Sequence, residues 1–539
     1  MKKLQLFTLL LFAVFQLFAQ DRYPRHHEMD VTHYEFNLQL NDSTNSIAGQ
    51  ANISISFTGS VSTLALNLIS LDTAGKGMKV QEVLLDGKKV EWEHENDWIR
   101  IQAPRPFMAG GKATVNIEYS GVPANGLVIS ENKFGDRTFF GDNWPDRGRH
   151  WLPCVDHLSD KATVDFIITA PAHYQVVGNG LLVEETNIGS KNKLYHWHQS
   201  IPIPTKVMVI GVAPFAIQKL GDVNGIPLES WVFPQNKKEG FYDYAQAEKI
   251  LNFFHHHVGP YPYEKLANVQ SKTMFGGMEN ASNIFYFENS VTGNREIESL
   301  LAHEIAHQWF GNSVSEINWA HIWLSEGFAT YFTNLYLEFT YGKDKLDKQL
   351  ETQRAKVLEF AKQRGTPVVD TLVSDYMVLL NANSYQKGGW VLHMLRRQIG
   401  DEAFWTGART YYATYKNKNA HTKDLQKVME EASGQDLETF FKQWLYTPGH
   451  PVLNCLWKYD AKNKVVQLKT EQTQPGSTIF VFPLEVKITA KNGESKVEKL
   501  EVKEGSQVFE IPMDDKTISI ELDPNTNLLF EGSTEKRRF

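Results

Sequence analysis

Two changes in the spacing of apolar residues divide this 539-residue chain and restrict what it can fold into. From about Asp21 to Leu220, apolar and polar residues alternate. Tyr34, Phe36, Leu38 and Leu40 do so, as do Ala51, Ile53, Ile55 and Phe57; Val115, Ile117 and Tyr119; and Val164, Phe166 and Ile168. Successive side chains of a strand point to opposite faces, so this period marks half-buried antiparallel strands, and their density predicts a large β-sandwich. Beyond about Gly240 the spacing becomes three to four residues, over segments near 240–257, 295–311, 325–339, 345–363, 387–399 and 422–445, which predicts helices. Gly400 stands where one of these should stop, and Pro448-Gly449-His450-Pro451 breaks the last. After Pro451 short alternating strands return, with Leu484, Val486 and Ile488, then Ile518, Ile520 and Leu522. The length exceeds what one core supports. The expected architecture is multidomain α+β: an N-terminal antiparallel β-sandwich over 20–220, a mainly helical domain over 221–450, and a small C-terminal β-sandwich over 451–539.

Residues 1–19 read as a signal peptide, the competing reading being a buried N-terminal helix. Lys2 and Lys3 precede an apolar run, Leu6 to Phe15, interrupted only by Thr8, and Ala19 offers a small residue for cleavage. That run is too short to span a membrane, and no later segment approaches the roughly 20 apolar residues required. The expectation is an exported protein without a transmembrane segment, periplasmic or extracellular. Losing Lys2 and Lys3 would take the net charge from −8 to −10. With no basic stripe to neutralise phosphates, nucleic acid is not an expected partner. Cys154 and Cys455, the only cysteines, could form a bridge in an oxidising compartment or remain two buried thiols.

The chemistry concentrates in the middle third. His303-Glu304-Ile305-Ala306-His307 lies in an amphipathic stretch. Positions four apart share a helix face, so His303 and His307 can present two imidazoles to one metal ion. Glu304 lies beside that face, able to reach a metal-bound water without being a ligand. The apolar flanks Leu300, Leu301, Trp309 and Phe310 are not needed by two solvated surface histidines. A catalytic zinc takes three protein ligands and leaves one position open. Glu326, with eighteen residues between it and His307, is a carboxylate in an otherwise apolar run. Such a charge needs a partner, and a third-ligand role supplies one.

His303 through Glu326 resembles the gluzincin zinc metallopeptidases, and Gly276-Gly277-Met278-Glu279-Asn280 narrows the resemblance to the aminopeptidase-N family. That family's exopeptidase signature is Gly, a small residue, Met, Glu and Asn on a strand edge beside the zinc helix. The two glycines let the backbone approach an extended peptide. Tyr385-Gln386-Lys387-Gly388 resembles the family's Tyr-x-Lys-Gly segment. Arg149 to Asp156, followed by Lys161-Ala162-Thr163, resembles its Arg-x-x-x-Pro-Cys-x-Asp segment, and Phe441-Lys442-Gln443-Trp444-Leu445 the end of its catalytic domain.

The resemblance implies a thermolysin-like catalytic domain with one Zn²⁺ per chain, held by His303, His307 and Glu326. It implies hydrolysis by zinc-activated water, with Glu304 as general base and Tyr385 stabilising the oxyanion. Gly276, Gly277, Met278, Glu279 and Asn280 would bind substrate, Glu279 holding the α-ammonium of a peptide with a free N-terminus.

Two departures from the pattern bear on substrate recognition. Many members carry a Gln or Glu nine residues before Pro153, where Trp144 stands here, and the family's common C-terminal helical domain has no counterpart after the last strands. Three rival readings compete with the aminopeptidase. The leukotriene-hydrolase branch shares the Gly-Gly-Met-Glu-Asn variant, but uses an Asp eight residues before the tyrosine, where Met377 stands. A non-catalytic peptide-binding module would need neither Glu304 nor Tyr385. A zinc endopeptidase would have no use for Glu279. His26, His27 and His33, like His255-His256-His257, lack carboxylates or cysteines at ligand spacing and read as solvated or helix-end histidines.

Overall fold

The computed structural model describes residue 23 and residues 27–537; the signal-peptide segment 1–19 and His26 lie outside them. Alternation in the first two hundred residues builds an eight-stranded sheet. Its spatial order is Leu181–Ile188, Asn192–Pro204, Lys161–Pro171, Met29–Gln39, Ile47–Phe57, Lys112–Val122, Gly77–Leu85, Lys88–Lys89. Neighbours run antiparallel except at one seam, where Met29–Gln39 lies parallel to Lys161–Pro171 with Phe36 opposite Phe166. A parallel neighbour requires a long crossover, and the segment between these strands supplies one. Tyr34, Phe36, Phe166 and Ile168 are fully buried, and Phe36 stacks on Phe166 at 5.6 Å. Each such side chain contributes about 1.5–3 kcal/mol relative to exposure.

Two smaller sheets complete this part. One contains Val61–Asn67, Trp98–Phe107 and Trp92–Glu95; the other contains Gln175–Gly178, Ile210–Ala213, Arg137–Gly141 and Leu127–Glu131. Cys154 and Cys455 are both buried and unbridged, which selects the free-thiol alternative.

The central part begins with a mixed five-stranded sheet, ordered Ala216–Val223, Ile226–Val232, Leu266–Ser271, Asn283–Phe287, Gly277–Met278. Among the described residues the α-helices are α1 (Lys237–Tyr244), α2 (Ala247–His257), α3 (Glu298–His307), α4 (Trp323–Tyr341) and α5 (Lys343–Gln363). They continue with α6 (Gly388–Ile399), α7 (Asp401–Tyr415), α8 (Thr422–Ser433) and α9 (Glu438–Phe441). Helix α7 goes beyond the sequence reading. Its Phe404, Ala408, Tyr411 and Tyr412 do have helical spacing and are buried, but Gly400 reads as a stop and Gly407 with the Thr and aromatic residues weakens propensity. The stretch expected over 422–445 is interrupted at Gly434, whose left-handed φ of 68° closes α8. No helix among the described residues is long and apolar enough to cross a membrane.

From Trp323 to Leu337, every residue of α4 is buried. The start of α6 packs closely on it, because Gly327 and Gly388 meet backbone to backbone; a β-carbon at Gly327 would stand 2.9 Å from the Gly388 Cα. Two glycines thus set how near the turn before α6 comes to α4.

The C-terminal part is a four-stranded sheet facing a three-stranded one. Their orders are Ser506–Pro512, Val465–Gln472, Val452–Asp460, Glu531–Lys536 and Ser495–Val502, Phe482–Ala490, Thr517–Leu522. Leu484, Val486 and Ile488 are buried as the alternation predicts, whereas Ile518 is exposed. A register shift pairs Ala490 with Thr517, leaving Ile518 outside the ladder and Thr517 facing inward. Arg354 of α5 ties this part to the helices, donating to Asp523 at 2.6 Å and to the Leu528 carbonyl at 2.7 Å. Lys387 Nζ donates to the Gly449 carbonyl at 2.8 Å, which anchors the turn carrying Tyr385.

Candidate active site

Helices α3 and α4 bring His303, His307 and Glu326 together. The two Nε2 atoms are 3.1 Å apart, and Glu326 Oε2 lies 3.3 Å from the first and 3.2 Å from the second. All three donor atoms fall within 4.8 Å of one another. His307 is oriented by its other nitrogen, which lies 3.1 Å from both the Phe310 carbonyl and Ser325 Oγ. Partners of this kind set the tautomer and direction of a metal-binding imidazole. Gly311 makes room for them, since a β-carbon there would strike Ser325 Oγ and come within 3.1 Å of His307 Nδ1.

Electrostatics explain why this group calls for a cation. Burial lowers the proton affinity of both imidazoles. For His303 that effect prevails and its pKa is lowered, whereas the Glu326 carboxylate outweighs it at His307 and raises its pKa to about 9. Two imidazoles sharing one carboxylate have room for only one proton between their facing nitrogens. Burial also works against ionisation of Glu326, but the two histidines outweigh it and hold the carboxyl well below its usual range. Glu326 Oε2 has no hydrogen-bond partner among the described residues. Two nitrogens and a carboxylate oxygen at these separations form a donor set of the type zinc takes, and a divalent cation satisfies every atom a single proton cannot.

Glu304 points from α3 toward the edge strand Gly277–Met278. A β-carbon at Gly277 would lie 2.6 Å from Glu304 Cδ and 2.7 Å from its Cγ, and closer still to Oε1. Only glycine leaves that carboxylate its place. Burial raises the Glu304 pKa well above the ordinary value, and Glu279 and Glu326 push in the same direction. Tyr385 lies in the π-helical turn Asn383–Lys387 and stacks on His303 at 5.9 Å. Its phenol is likewise held protonated by burial and by the three surrounding carboxylates.

Glu279 follows the edge strand directly. Its carbonyl accepts from Gln308 Nε2 at 2.9 Å and Asn312 Nδ2 at 2.5 Å, so the segment directly after α3 clamps its backbone. One cleft of about 240 Å³ contains these groups, lined by Gly276, Gly277, Met278, Glu279, His303, Glu304, His307, Glu326 and Tyr385, with Trp144, Phe275, Leu300 and Leu380 as apolar walls. Asn280 is buried beneath and does not line it. Trp144 packs edge-on against Phe275 at 5.8 Å and Trp319 at 5.3 Å. Asn143 turns away, accepting from Trp151 Nε1 at 2.8 Å and donating to the Met208 carbonyl at 2.6 Å.

The remaining motif residues take supporting places. Arg149 pairs with Asp156 at 3.1 Å. His256 and His257 reach back to carbonyls of α2, while His33, His196 and His198 surround Asp165 at 2.8–3.1 Å. Two residues near the cleft went unread in the sequence. Lys206 is a single cation in the otherwise mostly apolar run from Ile201 to Ala213, and Glu316 is a carboxylate nine residues after His307. Both are fully buried and joined at 3.1 Å. A charge in an apolar run was the signal for Lys206; Glu316, among Asn312, Ser313, Ser315 and Asn318, carried none.

The fold and this site define a class of proteins in which a two-histidine, one-glutamate group able to hold a metal ion stands beside a β-rich N-terminal domain. A family model described as the peptidase M1 N-terminal domain matches residues 30–207, and one described as the peptidase family M1 domain matches residues 242–444. Together they span well over half of the sequence, and the chain belongs to peptidase family M1. Among curated relatives, glutamyl aminopeptidase of Rattus norvegicus is 27% identical over 66% of this chain and 40% of its own length. Probable aminopeptidase 1 of Sulfurisphaera tokodaii is 24% identical over 88% of this chain and 60% of its own. Aminopeptidase M1-C of Oryza sativa subsp. japonica is 28% identical over 62% and 40%. The chain thus spans about 40 to 60% of the length of these relatives.

Proposed function

We propose that this chain is a zinc-dependent aminopeptidase that removes single residues from the free N-termini of peptides. The observation that carries the reading is that the Glu279 carboxylate lines the same cleft as the His303, His307 and Glu326 group. Membership of family M1 supports it, and the names of the relatives agree.

His303, His307 and Glu326 would hold the zinc. When bound, the metal supplies a Lewis acid and an activated water near neutral pH. Glu304, seated against Gly277, takes the proton from the attacking water and returns it to the leaving amine, a role worth typically 10²–10⁴ in rate. Tyr385 donates its hydroxyl hydrogen to the oxyanion that develops at the scissile carbonyl, and its raised pKa keeps it a donor. Gly277–Met278 is the edge strand of its sheet, so its main chain is available to an extended substrate. Glu279 pairs with the substrate's α-ammonium and sets the cut at one residue from the N-terminus.

The test compares a free-amine peptide with its N-acetylated twin on wild-type protein and Glu279→Ala. Charge-assisted hydrogen bonds are about twice as strong as neutral ones, so the mutation should lower kcat/KM for the free amine roughly 30- to 1,000-fold. The acetylated peptide should be poor for both proteins. Equal cleavage of the two peptides by wild type would replace this reading with an endopeptidase.

A further inference from the structure

Behind the amine site lies a buried cation that the reaction does not use directly. Lys206 sits in the short turn Thr205–Val207, at the end of the N-terminal domain's long strand Asn192–Pro204. Its Nζ donates to Glu316 Oε1 at 3.1 Å and stands 3.8 Å from Glu279 Oε1. The ammonium also lies 5.6 Å from the Trp319 ring centroid, whose neighbour Trp144 walls the cleft. Lys206 and Glu316 side chains are 1% and 0% exposed, and that of Glu279 is 7% exposed. Glu279 Oε1 has no hydrogen-bond partner among the described residues. The charge it faces is therefore Lys206, and Gln308 and Asn312 hold only its backbone.

We infer that Lys206, anchored on Glu316, is a positioning residue for substrate-amine recognition: it holds Glu279 Oε1 toward the protein and leaves Oε2 to the cleft. The inference rests on the amine-binding role proposed for Glu279. Without a cation behind it, Glu279 would face the Glu304 and Glu316 carboxylates on its protein side, and like charges at low dielectric turn such groups apart. Lys206 offsets that repulsion. Burial disfavours its charge, but Glu316 and Glu279 outweigh burial, so it stays protonated. Glu316 in turn prevents Lys206 from forming a full ion pair with Glu279, which would compete with the substrate's ammonium. Amine recognition is consequently shared between two domains: Glu279 comes from the catalytic sheet, Lys206 from the β-domain. With Trp144 where many members of the family carry a polar side chain, this support from behind takes on added importance.

The experiment is a double-mutant cycle on zinc-loaded, full-length protein: wild type, Lys206→Met, Glu279→Ala and the double variant, assayed for kcat and KM on a free-amine peptide and on its N-acetylated twin. Lys206→Met should raise KM about tenfold or more with kcat changed by less than about threefold. In the Glu279→Ala background the same substitution should add no more than about twofold. Lys206→Met leaves Glu316 buried without its partner, so Lys206→Met/Glu316→Met provides a second route. Replacing both members of a buried pair by apolar residues of similar volume usually preserves folding, and this variant should show the same KM increase. An equal loss from Lys206→Met with and without Glu279 would overturn the inference and make the pair a structural tie between domains. If Glu279→Ala alone leaves the preference for the free amine intact, the amine-site reading itself falls, an outcome distinct from the first.

Discussion

Adjacent glycines in Gly276-Gly277 should respond very differently to one added methyl group. At Gly277 the new β-carbon would lie 2.6 Å from Glu304 Cδ, where ordinary contact begins near 3.4 Å. Either the carboxylate or the edge strand must then retreat by about 0.8 Å. At Gly276 nothing lies within 4 Å of the same atom. Misplacing a reacting group by about 1 Å can cost on the order of 10²-fold in rate. Gly277→Ala should therefore lower kcat about 100-fold while zinc content stays at one per chain, because none of the three ligands is touched. Gly276→Ala should keep kcat within about threefold of wild type, any effect appearing in KM as the strand meets substrate. Steady-state kinetics on a free-amine peptide and elemental analysis of the same samples read both quantities. A zinc-replete Gly277→Ala protein with wild-type kcat would refute the claim that this glycine exists to seat Glu304.

Further expectations follow from the same geometry. Glu304→Gln should retain zinc yet lose at least about 10²-fold in kcat, whereas loss of zinc would make Glu304 a ligand; Tyr385→Phe should reduce kcat more than it raises KM. Chelation should abolish hydrolysis and added Zn²⁺ restore it, and full activity in protein shown to be metal-free would remove the proposed mechanism. Away from the cleft, burial raises the Asp165 pKa, but hydrogen bonds from His33, His196 and His198 outweigh it and hold the carboxyl well below its usual range. Its stabilising contribution is thus complete above the unfolded value of about 3.9 and lost as pH falls further. Asp165→Asn should lower the melting temperature near pH 6, with the gap to wild type closing below about pH 4; a gap that widened in acid would reverse the sign of this argument.

Much of the site was legible because its determinants are local. His303 and His307 are four residues apart, and that spacing alone places them on one helix face. Glu326 stood out as a carboxylate in an apolar run, and Gly276 to Asn280 as a short signature. The alternating strands were equally plain wherever pairing is regular, as at Phe36 and Phe166. The reading went astray where a local cue had two meanings or pairing slipped: Gly400 both ends α6 and precedes α7, and the register shift at Thr517 turns Ile518 outward.

Local spacing thus carried most of the strands and helices, though not α7, together with the candidate metal donors and the candidate amine anchor, since periods of two and of three to four residues are properties of a few consecutive positions. Tertiary structure alone decided the rest. Lys206 and Glu316 are 110 positions apart, and no periodicity links them; they meet because the β-domain packs against the catalytic helices. The fit of Glu304 against Gly277, the backbone contact of Gly327 with Gly388 and the parallel seam beside Met29–Gln39 are likewise long-range. Such contacts are selected by close packing and by the cost of leaving a buried charge without a partner, which act only once the chain has folded.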